Sequence, residues 1–133
     1  MKYLLDTSVY SQPLKKHPLQ EVVEKWNHIG DLECCVSVFS EMELLQGISL
    51  TGSTRLHEMY EKVLQDRIVV IPFTREEAKI FAELQGKLKK KGKTIPVIDL
   101  CIAATAISHN CIVATLNVKD FSGIPSLRFE TWE

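Results

Sequence analysis

The chain has 133 residues, with 16 lysines and arginines against 17 aspartates and glutamates and a formal net charge of −1. That length suits a single domain over residues 1–133 with a genuine hydrophobic core, and the charge balance means that any nucleic-acid contact has to come from a local patch. With 45% hydrophobic and 25% charged residues, no membrane-length apolar run and no basic-then-apolar start, the expectation is a cytoplasmic globular protein that does not enter a membrane.

Residues Lys2–Leu5 form a short apolar strand that runs straight into Asp6, Thr7 and Ser8. A carboxylate and two hydroxyls therefore stand at its carboxyl end. Either Asp6 belongs to a site, or it ends the strand as an Asx-turn or helix cap. A phosphatase of the haloacid type also begins with an Asp after its first strand, but needs a second Asp where Ser8 stands.

Residues His17–Ile29 predict an amphipathic helix with Val22, Val23, Trp26 and Ile29 facing inward. Gly30–Asp31 breaks it, and Glu33–Val38 is the second strand. Ser40 and Glu43 have capping-box spacing, which offers Glu43 a structural task that competes with a functional one. Glu41 lies roughly 200° around the helix from Glu43, so the two cannot share a face. Gly47, one turn beyond Glu43, would admit close approach of another segment.

Ser53–Gln65 reads as the third helix, with Leu56, Met59, Tyr60, Val63 and Leu64 on its apolar side. Arg67–Ile71 is a strand closed by Pro72, and Thr74 with Glu77 forms a second capping-box signature. The helix it opens is expected to reach Lys90, with Ala78, Phe81, Leu84 and Leu88 in the core. Its end is basic: Lys87, Lys89, Lys90, Lys91 and Lys93 are either a solvated terminus complementing the helix dipole or a phosphate-attracting patch.

Ile95–Phe121 is the most informative stretch. From Val97 to Ile107 it is apolar or small on every side, the pattern of a buried helix, and Asp99 is its one ionisable residue. Pro96 suits the first helical position, which puts Asp99 in the first turn, and Asn110 is a left-handed C-cap. Cys111–Thr115 is a buried strand that opens onto Thr115, Asn117 and Asp120. A turn at Phe121–Ser126 leads to a last strand at Leu127–Glu130, and Trp132 packs back on the domain. The four cysteines, Cys34, Cys35, Cys101 and Cys111, lack zinc-site spacing and read as small buried hydrophobes.

Strands alternating with helices imply an α/β fold with a mostly parallel sheet covered on both faces. Such folds place their sites beyond the carboxyl ends of the strands, where Asp6, Glu43, Asp99 and Asp120 can meet. Carboxylates clustered without His or Cys favour a hard cation, Mg²⁺ or Mn²⁺, and phosphodiester hydrolysis is the chemistry such a cation serves.

The motifs carrying these residues resemble those of PIN-domain endoribonucleases of the VapC type, the toxin half of bacterial and archaeal toxin–antitoxin pairs. LLDTSVY at residues 4–10 resembles the family's opening motif, and VSVFSEMELLQG at 36–47 its second, which aligns the motif's Glu with Glu43. IDLCIAATAISHNCIVATLNVKDF at 98–121 resembles the third and fourth, and the closing Ile124–Leu127 with Trp132 is similar to the family's ending. The resemblance implies a three-layer α/β/α PIN-like domain with a five-stranded sheet in the order 3-2-1-4-5. It also implies Asp6, Glu43, Asp99 and Asp120 as catalytic and metal-site carboxylates, supported by Thr7, Ser8, Thr115 and Asn117. Mg²⁺ or Mn²⁺ as cofactor, RNA as substrate, a small cognate antitoxin and a homodimer follow from the same resemblance. Ser8 stands where the family usually has Asn, and Leu116 where Arg is common, which removes an RNA phosphate contact. Two other classes stay open: a catalytically silent PIN-like module that binds RNA or protein, and a Mg²⁺-dependent phosphatase or phosphoacceptor using Asp6.

Overall fold

The computed structural model describes residues 1–133. Its five strands are β1 (Tyr3–Leu5), β2 (Cys34–Ser37), β3 (Val69–Ile71), β4 (Ile112–Thr115) and β5 (Phe129–Thr131). They pair in the order β3-β2-β1-β4-β5, and every pairing is parallel. Parallel neighbours need a crossover, and the crossovers supply the helices: α1 (Thr7–Tyr10), α2 (Gln20–Ile29), α3 (Val38–Thr51), α4 (Thr54–Val63), α5 (Arg75–Lys90), α6 (Val97–Ser108) and α7 (Val118–Phe121).

Side-chain alternation along each strand divides the interior into two layers. Tyr3, Leu5, Cys34, Val36 and Ala114 face a core completed by Val9 and Tyr10 of α1, Val22 and Trp26 of α2, Ile48 of α3 and Tyr60 of α4. Leu4, Cys35 and Val113 face the opposite core, built on Leu84 and Leu88 of α5, Leu100 to Ala106 of α6 and Phe121 of α7. The expected three-layer α/β/α arrangement and strand order are therefore present. All four cysteines are buried and free. Trp132 is buried against the Tyr3 ring, edge to face at 5.4 Å. No helix is long and apolar enough to cross a membrane.

Several local expectations need correction. The first is the capping box at Ser40 and Glu43. Strand β2 stops at Ser37, whose hydroxyl accepts from the Phe39 amide, so α3 starts three residues early and Ser40 lies inside it. Ser40 is buried with its hydroxyl unpartnered. Glu43 is thereby released from any capping task. The box at Thr74 and Glu77 does form, and Glu77 is turned inward, where its carboxylate also accepts from Ser108. That inward turn leaves Ala78, an expected core position, exposed while Leu84 and Leu88 are buried. Helix α2 begins at Gln20 rather than His17, and Val63 of α4 is exposed. Asn110 does adopt a left-handed conformation, with φ of 55°. The last strand lies at Phe129–Thr131, later than expected, because the residues after Asn117 form the short helix α7.

Candidate active site

The chain leaves β1 toward β2 on one side and returns to β4 on the other, which makes the carboxyl ends of β1 and β4 the switch point of the sheet. Asp6 stands there, almost fully buried. Its Oδ1 accepts from the Ser8 hydroxyl at 2.6 Å and the Val9 amide at 3.1 Å, and its Oδ2 from the Thr115 hydroxyl at 2.6 Å. The cap and site readings of Asp6 are thus both met by one side chain, since the Val9 bond caps α1. Burial raises the Asp6 carboxyl above its usual range, while these hydrogen bonds pull in the opposite direction.

Ser8 does more than support Asp6. Its oxygen also accepts from the Leu116 amide at 3.0 Å, tying the loop after β4 to the turn after β1. The short serine thus bridges the two strand ends, and Leu116 contributes its backbone there rather than a charged side chain. Thr115 accepts in turn from the Asn117 amide at 2.8 Å. Of Asn117, only this backbone group takes part in the network; its side chain makes no cap to α7.

Glu43 projects from α3 toward α1, where its Oε1 accepts from the Thr7 hydroxyl at 2.5 Å. Asp99 is the third residue of α6, and it does not cap that helix, whose N-cap position is Pro96 without a side-chain bond. The half-buried Asp99 carboxylate faces other acids instead. Burial first, then the charges of Asp120, Glu43 and Asp6, push it up to about 6 from an ordinary value of 3.8. The charges acting on Asp99 are thus those of the other three expected carboxylates. Asp120 lies on α7, exposed to solvent.

None of the four carboxylates is in a salt bridge, so the cluster carries uncompensated negative charge. An all-oxygen donor set of this kind suits a hard divalent cation. In the chain alone no three His, Cys, Asp or Glu side chains close to chelating spacing, consistent with mutual repulsion and with Asp6 and Glu43 engaged by hydroxyls. The residues fit such an ion by chemistry and by location, not as a preformed cage.

The basic run is exposed throughout, from Lys87 through Lys89, Lys90 and Lys91 to Lys93. The Lys93 amine lies 3.7 Å from where a Cβ on Gly123 would stand, so this lysine sits beside the loop that follows Asp120 and α7. One residue near the site escaped the sequence reading. Lys15 lines the cavity onto which Thr7 and Glu43 open. A single lysine in an irregular segment has no periodicity or spacing to mark it.

A parallel sheet in this order, with a buried acid just beyond β1 at the switch point and further acids on α3, α6 and α7, defines a carboxylate-bearing α/β domain. The PIN domain family model matches residues 3–125, and the chain belongs to that family. It is 30% identical to Ribonuclease VapC2 of Rickettsia felis over 138 aligned positions, covering all of this chain and 99% of that protein. It is 32% identical to Toxin FitB of Neisseria gonorrhoeae, with 97% of each chain covered. Among solved structures, VapBC2 from Rickettsia felis bound to a DNA fragment of its promoter superposes with a TM-score of 0.85 at 28% identity, covering all of both chains.

Proposed function

We propose that this chain is a metal-dependent endoribonuclease, the toxin member of a toxin–antitoxin pair. The observation that carries the reading is the placement of Asp99: unpaired, not capping its helix, and repelled by Asp6, Glu43 and Asp120 together. No bond within the chain accounts for Asp99 in this position, and a bound cation does. The ribonuclease and toxin names of the relatives support the same reading.

Asp6, Asp99, Glu43 and Asp120 would hold the ion, Mg²⁺ or Mn²⁺. When bound, such a cation polarises a phosphodiester and acidifies water at the site. Asp6 is fixed in orientation by Ser8, Val9 and Thr115, which suits a ligand better than a nucleophile that must swing toward phosphorus. Thr7 engages Oε1 of Glu43 and leaves Oε2 free to take a proton from the attacking water. Water adds to phosphorus opposite the 3′-oxygen, the phosphorus–3′-oxygen bond breaks as solvent water protonates the departing oxygen, Glu43 returns its proton to solvent, and the products carry a 5′-phosphate and a 3′-hydroxyl. A small cognate antitoxin, a homodimeric state and a cytoplasmic setting belong to the same proposal.

The test pairs the parent with Asp99→Asn. The parent is expected to degrade total RNA with Mg²⁺ or Mn²⁺ and to stop in EDTA, and Mn²⁺ should raise its thermal unfolding midpoint. Asp99→Asn should fold, gain no midpoint from Mn²⁺ and leave RNA intact. Cleavage by Asp99→Asn at the parental rate, or equal stabilisation of both by Mn²⁺, overturns the assignment.

A further inference from the structure

Two of the four buried cysteines face each other. Cys35 on β2 and Cys111, the residue before β4, bring their sulfurs to 3.9 Å across 76 positions of sequence. Strand β1 runs between β2 and β4, and both thiols belong to the core on the α5 and α6 side. Their other hydrogen-bond partners are backbone carbonyls. The Cys35 thiol reaches the Tyr3 carbonyl at 3.4 Å, and Cys111 has those of His109 and Met1 at 3.5 and 3.8 Å. This pair lies at the amino ends of the strands, away from the carboxylates at the other end.

A disulfide does not suit the spacing. It draws Cα atoms to about 4.4–6.8 Å, whereas strands that flank a common neighbour lie roughly 9–10 Å apart. Bonding the sulfurs would pull β2 and β4 together against the strand between them. A single ion fits instead. At a metal–sulfur distance of about 2.3 Å, sulfurs 3.9 Å apart subtend roughly 115° at an ion between them.

We propose that Cys35 and Cys111 form a site for a thiophilic monovalent ion, Cu(I), held as a bis-thiolate. Zinc is the poorer occupant, because a structural zinc takes four ligands and no His, Asp or Glu joins the pair to complete a set. Soft thiolates select Cu(I), and two of them satisfy it. Binding exchanges the ion for the thiol protons, which leave to solvent, and the site then carries one negative charge. Electrostatics favour the exchange. Hydrogen bonding from Cys35 holds the Cys111 thiol down at about 7 from an ordinary 9.0, and the charged amino terminus acts on both sulfurs in the same direction. Burial instead raises Cys34 and Cys101, which have no thiol partner. The ion's way in is from the chain start, where Met1 is exposed, as are His109 and Asn110 before Cys111.

The reduced, metal-free chain is titrated anaerobically with Cu(I) against the chelator bathocuproine disulfonate, and its unfolding midpoint is measured with and without the ion. The parent should bind one equivalent, gain in midpoint and show two sulfur neighbours of copper by X-ray absorption. Cys35→Ala and Cys111→Ala should each lose at least tenfold in affinity. Cys34→Ala and Cys101→Ala, which open equally buried positions, should keep the parental affinity, and so should Asp99→Asn at the carboxylates. Parental affinity in Cys35→Ala and Cys111→Ala overturns the proposal, as does a loss confined to Cys34→Ala, Cys101→Ala or Asp99→Asn. Half an equivalent per chain with copper-dependent pairing of chains overturns it too, by placing the ion between copies. Should a cysteine variant fail to fold, the sulfur count of the loaded parent decides: one sulfur or none removes the site.

Discussion

The Thr115 hydroxyl donates to Asp6 Oδ2 at 2.6 Å, joining the last residue of β4 to the first residue beyond β1 across 109 positions of sequence. Both side chains are buried. Thr115→Val keeps the shape and removes the donor, leaving a buried carboxylate oxygen without that partner. The expected loss is roughly 1–3 kcal/mol at neutral pH. Thr115→Ser should recover most of it, and urea unfolding of the three proteins measures both effects.

Glu43→Gln separates charge from hydrogen bonding. The Gln side-chain oxygen can still accept from Thr7, and no capping bond is at stake because α3 is capped by Ser37. Unfolding should be near parental. Cleavage of RNA should fall by orders of magnitude, since a neutral amide neither ligates a hard cation well nor accepts the proton of attacking water. Full activity in Glu43→Gln would remove this residue from the chemistry.

Asp99 gives the metal-free protein a pH signature. Its carboxyl lies at about 6 in the folded chain against an ordinary value of 3.8. Between about pH 4 and about pH 6 the native state therefore holds a proton that the unfolded state has released. Stability from this group is fully present below that window, falls as pH rises through it and stays low above it. Asp99→Asn should flatten this part of the curve and exceed the parent in stability at neutral pH in EDTA. Denaturant midpoints across the window decide the matter; a parental slope in the variant would assign the titration to another group.

The exposed lysines at the end of α5 have a separate test. If Lys89, Lys90 and Lys91 touch RNA phosphates, replacing all three by Gln should reduce the salt slope of binding by about 2. An unchanged slope returns them to the role of a solvated helix end.

The carboxylates were legible in the sequence because each follows a strong local signal: Asp6 after an apolar strand, Asp99 alone in an apolar helix, Asp120 after a buried strand. Strand alternation likewise announced the parallel sheet. At Glu43 the sequence offered a competing structural task, the capping box with Ser40, and that box does not form. VSVFS is apolar enough to continue a strand, and with serines at both Ser37 and Ser40 only the tertiary position of β2 decides which one caps α3. Helix α7 is a single turn, too short for periodicity to reveal. Lys15, on the wall of the cavity beside Thr7 and Glu43, could not be read, because packing alone brings it there.

Asp6 serves two masters, and Asp99 serves one. The carboxylate that faces the site from β1 also caps α1 and closes the link to Thr115, whereas Asp99 makes no bond that the fold depends on. Random disarming of this gene is therefore unequal in outcome. Among survivors of a growth selection without antitoxin, changes at Asp6 should yield scarce, protease-sensitive chains. Changes at Asp99 should yield abundant, inert ones that still soak up antitoxin, and so free any active copy in the same cell.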